Sequence, residues 1–255
     1  MIKVSDLTVT YPSNSVSIFK KFSWEVQKSE SWAVLGPSGC GKTTLLYLLA
    51  GLLQPVSGTI QIDAKPILRP RPKSGLIIQD YGLLPWATVQ QNCDLGLKIR
   101  KYYGADGIHA PFEKQSNRIE KNWLQELGLI QFANKYPSQL SGGQRQRVAI
   151  ARTLYLQPDL LLMDEPFSSL DAPTRESLQE LTTSLVSGQG LTLILVTHSV
   201  EEAVLLGRKV LLLGEPPNEN AMIIDNSGSS KPDYRNTNQY IDQCREIRTL
   251  MGASA

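Results

Sequence analysis

The stretch Gly36-Pro37-Ser38-Gly39-Cys40-Gly41-Lys42-Thr43 decides the reading of this chain. It satisfies G-x-x-x-x-G-K-[ST], a loop whose backbone cradles phosphates. Residues 31–35 before it, with Trp32, Val34 and Leu35, read as a buried strand. Residues 44–53 after it (TLLYLLAGLL) read as a buried helix. Glycines let the backbone wrap closely, so that successive N–H groups point at a polyphosphate. The helix N-terminus adds partial positive charge. In this arrangement Lys42 reaches the β- and γ-phosphates, the Thr43 hydroxyl ligates Mg²⁺, and Thr44 belongs to the same nucleotide-contacting stretch. A glycine turn before a core helix would explain the glycines, but not a Lys-Thr pair opening an apolar helix. Cys40 sits at that helix N-terminus, where a lowered thiol pKa and ATP-protected alkylation are expected.

A second constellation is Leu160-Leu161-Leu162-Met163-Asp164-Glu165, an apolar strand ending in two acids before Pro166. Ligands of open α/β sheets lie beyond the carboxyl ends of the strands. Asp164 is thus placed to hold Mg²⁺ and Glu165 to polarise an attacking water. A third is Leu140-Ser141-Gly142-Gly143-Gln144, followed by a helix over 142–156. Ser141 caps that helix, and the two glycines admit an anion to its N-terminus. One chain then has two phosphate-binding helix N-termini but a single lysine loop. A dimer would use both, each nucleotide lying between the lysine loop of one chain and Ser141-Gly142-Gly143 of the other.

The chain has 255 residues and a net charge of +2, which points to neither a nucleic-acid partner nor a polybasic membrane surface. Cys40, Cys93 and Cys244 are scattered and lack metal spacing, which suggests a reducing, cytosolic compartment. The N-terminal stretch carries no signal pattern, and apolar runs such as 45–53 are too short to span a bilayer. Any membrane span is expected on another chain.

Strands are expected at 2–10 (apolar alternation with one slip in phase), 17–27, 58–63, 75–79, 160–163, 191–197, 210–213 and, at an edge, 221–225. Helices are expected at 117–129, 142–156, 174–186, 199–206 and 239–251. Residues 66–72, 101–111 and 226–237 read as loops. Alternation of strands and helices argues for a mainly parallel sheet covered on both faces.

With LSGGQ at 140–144, between the lysine loop and the acid pair, the chain resembles the ATP-binding cassette (ABC) proteins along nearly its whole length. The resemblance implies one ABC ATPase domain over 1–255. Its fold would be α/β: a P-loop NTPase (RecA-like) core, an N-terminal antiparallel β subdomain, and a helical signature subdomain at roughly 85–157. Tyr11 is similar to the aromatic that stacks on adenine. Gln79 resembles the glutamine that senses Mg²⁺ and the γ-phosphate, and Ser168-Ser169-Leu170-Asp171 the loop that crosses the dimer interface. His198 resembles the switch histidine. The catalytic set so implied is Glu165, His198 and Gln79, with Thr43, Gln79 and Asp164 at the metal and Ser141–Gln144 and Asp171 at the nucleotide.

QDYGLLPWATV, 79–89, is similar to the corresponding loop of nitrate, sulfonate, taurine and bicarbonate importers, where it helps form a groove for a permease coupling helix. The resemblance therefore implies ATP and Mg²⁺, a second ATPase subunit, and permease subunits docking near Tyr81–Val89. It also implies a solute-binding protein and a peripheral place on the cytoplasmic face of the inner (plasma) membrane. An exporter ATPase, a non-transport ABC ATPase and a non-hydrolysing regulatory module remain as alternatives. Asn92-Cys93, Ser199, 207–209, 215–220 and the length of 101–111 depart from the usual pattern, away from the nucleotide chemistry.

Overall fold

The computed structural model describes residues 1–11, 16–103, 122–230 and 233–253. β1 (Ile2–Val9) pairs antiparallel with β2 (Phe19–Val26). β3 (Ser31–Leu35) leads into the glycine loop and α1 (Lys42–Leu49) leaves it. β4 (Ser57–Ile62) and β5 (Lys65–Pro66) return to the first sheet, whose order is β2-β1-β4-β5.

The slip in phase along β1 has a physical cause. Its register shifts between Val4 and Leu7, and Asp6 adopts a φ of 49°. A bulge of this kind adds one residue and restores the inward face, so Ile2, Val4, Leu7 and Val9 are all buried. Opposite it, Gly58 has a φ of 87°, and a Cβ there would lie 2.4 Å from the Asp6 carbonyl oxygen. Only glycine lets the two strands close at that point. α1 begins two residues before the expected start and stops well short of the expected end. The chain turns at Gly51 (φ 73°), where a Cβ would meet the Arg69 carbonyl oxygen at 2.4 Å.

The second sheet takes β6 (Ser74–Ile77), β7 (Leu160–Asp164), β8 (Thr192–Val196), β9 (Lys209–Leu212) and β10 (Met222–Asp225) in the order β10-β9-β3-β8-β7-β6. All its pairings are parallel except that of β10 with β9. Between these strands run α2 (Val89–Tyr103), α3 (Trp123–Glu126), α4 (Gly142–Leu154), α5 (Ala172–Gln189) and α6 (Val200–Leu206), and α7 (Asn238–Ala253) follows them. Every residue of β7 and β8 is buried, as expected of parallel strands covered on both faces.

The apolar interior has three parts. One lies between the two sheets and takes in α1. Another lies under α2–α5, and the last under α6 and α7.

Several expectations are corrected. α2 was not anticipated, and residues 101–103, read as loop, form its end; the rest of 101–111 lies outside the described residues. Of the helix expected at 117–129, only Trp123–Glu126 is helical among the described residues, and 117–121 lie outside them. β6 ends at Ile77, so Gln79 follows the strand rather than closing it. The 226–237 tract contains two short 3-10 turns, at Ser227–Ser230 and Tyr234–Asn236.

Candidate nucleotide site

Strand register builds the site. Val34 of β3 lies level with Val196 of β8, and Val196 lies level with Asp164 of β7. The residues that follow, the 36–43 loop, Glu165 and His198, therefore leave the same edge of the sheet side by side. Backbone bonds bind these exits together: Glu165 N donates to Val196 O at 2.9 Å and Thr197 N to Val34 O at 3.2 Å.

In the loop, Gly39 and Gly41 have φ values of 82° and 106°. A Cβ on Gly39 would meet nothing within 4 Å, whereas one on Gly41 would lie 2.4 Å from Ile18 Cγ2. The loop is thus packed on its inner side and open at its tip, the shape a phosphate chain fits. Lys42 is 8% exposed, and its ammonium donates to Gly36 O and Pro37 O, both at 2.8 Å. The Thr44 and Tyr11 hydroxyls share a 3.1 Å hydrogen bond, which holds Tyr11, still half-open to solvent, beside the start of α1. Ser38 is exposed at the loop tip.

The Thr43 hydroxyl donates to Asp164 Oδ1 at 3.2 Å. A hydroxyl and a carboxylate held side by side are hard oxygen donors, which fits Mg²⁺. Burial pushes the Asp164 carboxyl above its ordinary pKa and the nearby Glu165 adds to this, while Thr43 and Lys42 pull it back. Divalent charge would complete the compensation. Next to it, Glu165 Oε2 lies 3.1 Å from His198 Nδ1. Glu165 sits at a φ of 44°, a conformation that costs a non-glycine residue about 1–3 kcal/mol. Its carbonyl accepts from Ser168 N and Oγ, which together with the Val196 contact fixes the turn.

Gln79 is exposed just past β6. The 141–144 segment forms a capping box: Ser141 Oγ accepts from Gln144 N at 3.3 Å, and Gln144 Oε1 accepts from Ser141 N at 2.9 Å. Its glycines pack on the 170–174 region. A Cβ on Gly142 would lie 3.1 Å from Leu170 Cδ2, and one on Gly143 2.4 Å from Thr174 Cγ2. Asp171 caps α5 by accepting from Thr174 N, and the Thr174 hydroxyl, followed by that N–H, holds its carboxyl below the usual range. The structure therefore brings Tyr11, Lys42, Thr43, Thr44, Asp164, Glu165 and His198 into one site, and joins Ser141–Gln144 to the Leu170–Thr174 neighbourhood instead.

The reading of one residue changes. Cys40 is 1% exposed, and burial raises its thiol pKa despite the pull of Lys42. The activated thiol expected at a helix N-terminus is thus overturned by desolvation. All three cysteines are buried. A chromogenic thiol titration of the native chain should accordingly be slow and reach full stoichiometry only on unfolding. One fast thiol blocked by ATP would contradict this.

Sequence reasoning also missed Glu202, which is 6% exposed behind His198. Burial raises its pKa, opposed by the Thr197 hydroxyl, which donates to Glu202 Oε2 at 2.6 Å, and by Arg175. Arg175 in turn donates to the carbonyls of Phe167 and Leu170. The Ser199-x-x-Glu202 spacing signals a capping box. Only its Ser199 half forms, and the acid turns inward.

The family model described as ABC transporter matches residues 19–168. The chain belongs to the ABC transporter family. It is 43% identical over 208 residues to the taurine import ATP-binding protein TauB of Pelagibacter ubique, covering 82% of this chain and 75% of that one. It is 37% identical over 215 residues to the aliphatic sulfonates import ATP-binding protein SsuB of Bacillus anthracis, covering 84% and 81%. Among solved structures, the dimeric post-hydrolysis state of the ATP-binding cassette MJ0796 bound to ADP and Pi matches with a TM-score of 0.72 at 28% identity, covering 88% of this chain and 98% of that one. CbiO1 from Clostridium perfringens, part of the cbiONQ ABC transporter complex, matches with a TM-score of 0.73 at 26% identity, covering 98% of both. The α/β core with its glycine loop is thus the nucleotide-binding cassette of an ABC ATPase.

Proposed function

We propose that this ABC ATPase works at the cytoplasmic face of the membrane, energising uptake of a small anionic solute through separate permease subunits that a solute-binding protein supplies. The observation that carries the hydrolytic half is the adjacency of two pairs: Thr43 with Asp164 at 3.2 Å, and Glu165 with His198 at 3.1 Å. Lys42 and the loop amides would bind the β- and γ-phosphates. Thr43, Asp164 and Gln79 would hold Mg²⁺, which neutralises phosphate charge when bound. Glu165 would orient water and accept its proton, His198 would contact the γ-phosphate, and Tyr11 would lie against adenine. Ser141–Gln144 would close over the nucleotide of a partner subunit. The turnover of a Glu165→Gln variant tests this set.

The anionic solute is supported by the taurine and sulfonate import names of the relatives. No helix among the described residues is long and apolar enough to cross a membrane, in keeping with permeases on other chains. The docking loop is supported by Trp86, which is 74% exposed. A tryptophan this open on a well-braced loop suits a partner's groove better than a core. The brace is Asn92, fully buried at 0% exposure. Its side chain accepts from Leu84 N at 2.8 Å and donates to the carbonyls of Leu84, Ala87 and Thr88.

Trp86→Ala should leave the melting temperature of the isolated chain unchanged, since little of the side chain is buried. It should weaken assembly with the permease by at least about tenfold, the scale of an aromatic interface anchor. Co-purification and titration of the purified subunits measure it; undiminished affinity would remove Trp86 from the interface.

A further inference from the structure

We propose that Tyr81 is a positioning residue that ties the loop carrying Trp86 to the 168–171 segment, and through that segment to Glu165. The inference rests on the hydrolytic role proposed for Glu165.

Tyr81 is where three pieces of the molecule meet. Its ring is 6% exposed in the interior under α2–α5. Its hydroxyl shares a 2.7 Å hydrogen bond with Ser169 Oγ. Its carbonyl accepts from Arg152 Nη2 at 3.1 Å, while Arg152 Nη1 donates to the next carbonyl, Gly82 O, at 2.6 Å. Arg152 lies in the last turn of α4, whose first residue, Gly142, would place a Cβ 3.8 Å from the same tyrosine hydroxyl. The two ends of the Ser141 helix therefore both face Tyr81.

The backbone at Tyr81 is unusual as well. Its φ is 62°, the left-handed region that a bulky residue avoids, and its N–H donates to Ile78 O at 2.8 Å. Such a conformation persists where the surroundings over-determine it. Here the ring, hydroxyl, carbonyl and N–H are each held.

A buried tyrosine hydroxyl always needs a partner, so the bond alone would mean little. The identity of the partner is what matters. Ser169 is an exposed loop residue, not a core group. Its neighbour Ser168 bonds the Glu165 carbonyl through N at 3.3 Å and Oγ at 3.0 Å. A displacement of the Trp86 loop would thus be carried through Tyr81 to Ser169, and from Ser168 to the turn that aims the Glu165 carboxylate.

The test is a mutant cycle on the full chain, with Tyr81→Phe, Ser169→Ala and the double variant, measuring kcat and KM for ATP and the melting temperature. Each single variant should lower kcat about fivefold, the worth of one hydrogen bond expressed in the aim of Glu165. KM for ATP should stay unchanged, and the double variant should fall no further than the worse single. Ser169→Thr, which keeps a hydroxyl, should recover most of the rate. Multiplicative losses in the double variant, an unchanged kcat, or a loss residing in KM would overturn the proposal. Should Tyr81→Phe lower the melting temperature, Ser169→Ala decides alone, because that exposed side chain contributes little to folding. Glu165→Gln run in parallel separates the two ideas. A Glu165→Gln chain that still turns over removes the underlying reading, whereas an inactive one beside an uncoupled Tyr81–Ser169 pair removes only this proposal.

Discussion

Glu165→Gln is expected to reduce ATP turnover by about a hundredfold or more while leaving ATP binding intact. General-base catalysis contributes on the order of 10²–10⁴ in rate, and a carboxamide cannot take the proton from water. The substitution is nearly isosteric. The backbone bonds that hold the turn, from Glu165 N to Val196 O and from Ser168 to Glu165 O, do not involve the side chain. His198 loses a carboxylate neighbour at 3.1 Å but keeps an oxygen acceptor in the same place. Nucleotide then enters and is not consumed, so ATP should accumulate a dimer on size-exclusion chromatography. A few charge-assisted bonds to phosphate, at about 1.5–3 kcal/mol each, are enough for the ~5.5 kcal/mol that a near-complete switch to the closed state requires. Near-normal phosphate release by the variant would remove Glu165 from the chemistry.

The second large effect concerns Lys42 and Ser141, which lie in different parts of the chain. Lys42→Ala removes the one ammonium inside the 36–43 loop, where it donates to the Gly36 and Pro37 carbonyls and, at 4.0 Å, to Cys40 Sγ. Charge-assisted bonds to phosphate lost there should weaken ATP binding to the monomer by about tenfold to a hundredfold. Ser141→Arg should act differently. The Ser141 hydroxyl caps α4 within its own chain, and Gly142 and Gly143 pack on Leu170 and Thr174 rather than on the lysine loop. An arginine there costs the monomer a helix cap, about 1 kcal/mol. It should still abolish the ATP-dependent dimer, because the bulky side chain fills the gap a partner's phosphate must enter.

Much of this was legible in the sequence because the informative residues are neighbours in the chain. The loop at 36–43, the apolar run ending in Asp164-Glu165, and the strand before His198 each state their own local structure. Alternation of strands and helices then brings their ends to one edge of the sheet. What escaped depends on contacts between distant residues. Among the described residues of α2, those buried are Val89, Asn92, Cys93 and Gly96. Gly96 would place a Cβ 3.0 Å from the Arg152 carbonyl oxygen, so close approach, with the polar Asn92, shapes the described part of the buried face. An apolar periodicity does not register it. Cys40 failed for a related reason: the local rule for a thiol at a helix N-terminus was outweighed by burial against the rest of the loop. Glu202 with Thr197 and Arg175, and Tyr81 with Ser169, are side-chain pairings across elements, which no single stretch announces.

The most direct test of the central claim, that each nucleotide is shared between two chains, is titration of a fluorescent ATP analogue into Lys42→Ala and Ser141→Arg chains at protein concentrations low enough to keep both monomeric. The shared site predicts severe loss of affinity for Lys42→Ala and near-native affinity for Ser141→Arg. It also predicts that Ser141→Arg fails to dimerise with ATP when combined with Glu165→Gln. A Ser141→Arg monomer that loses affinity as severely as Lys42→Ala would mean that Ser141 serves the nucleotide of its own chain, and the shared-site account would be wrong.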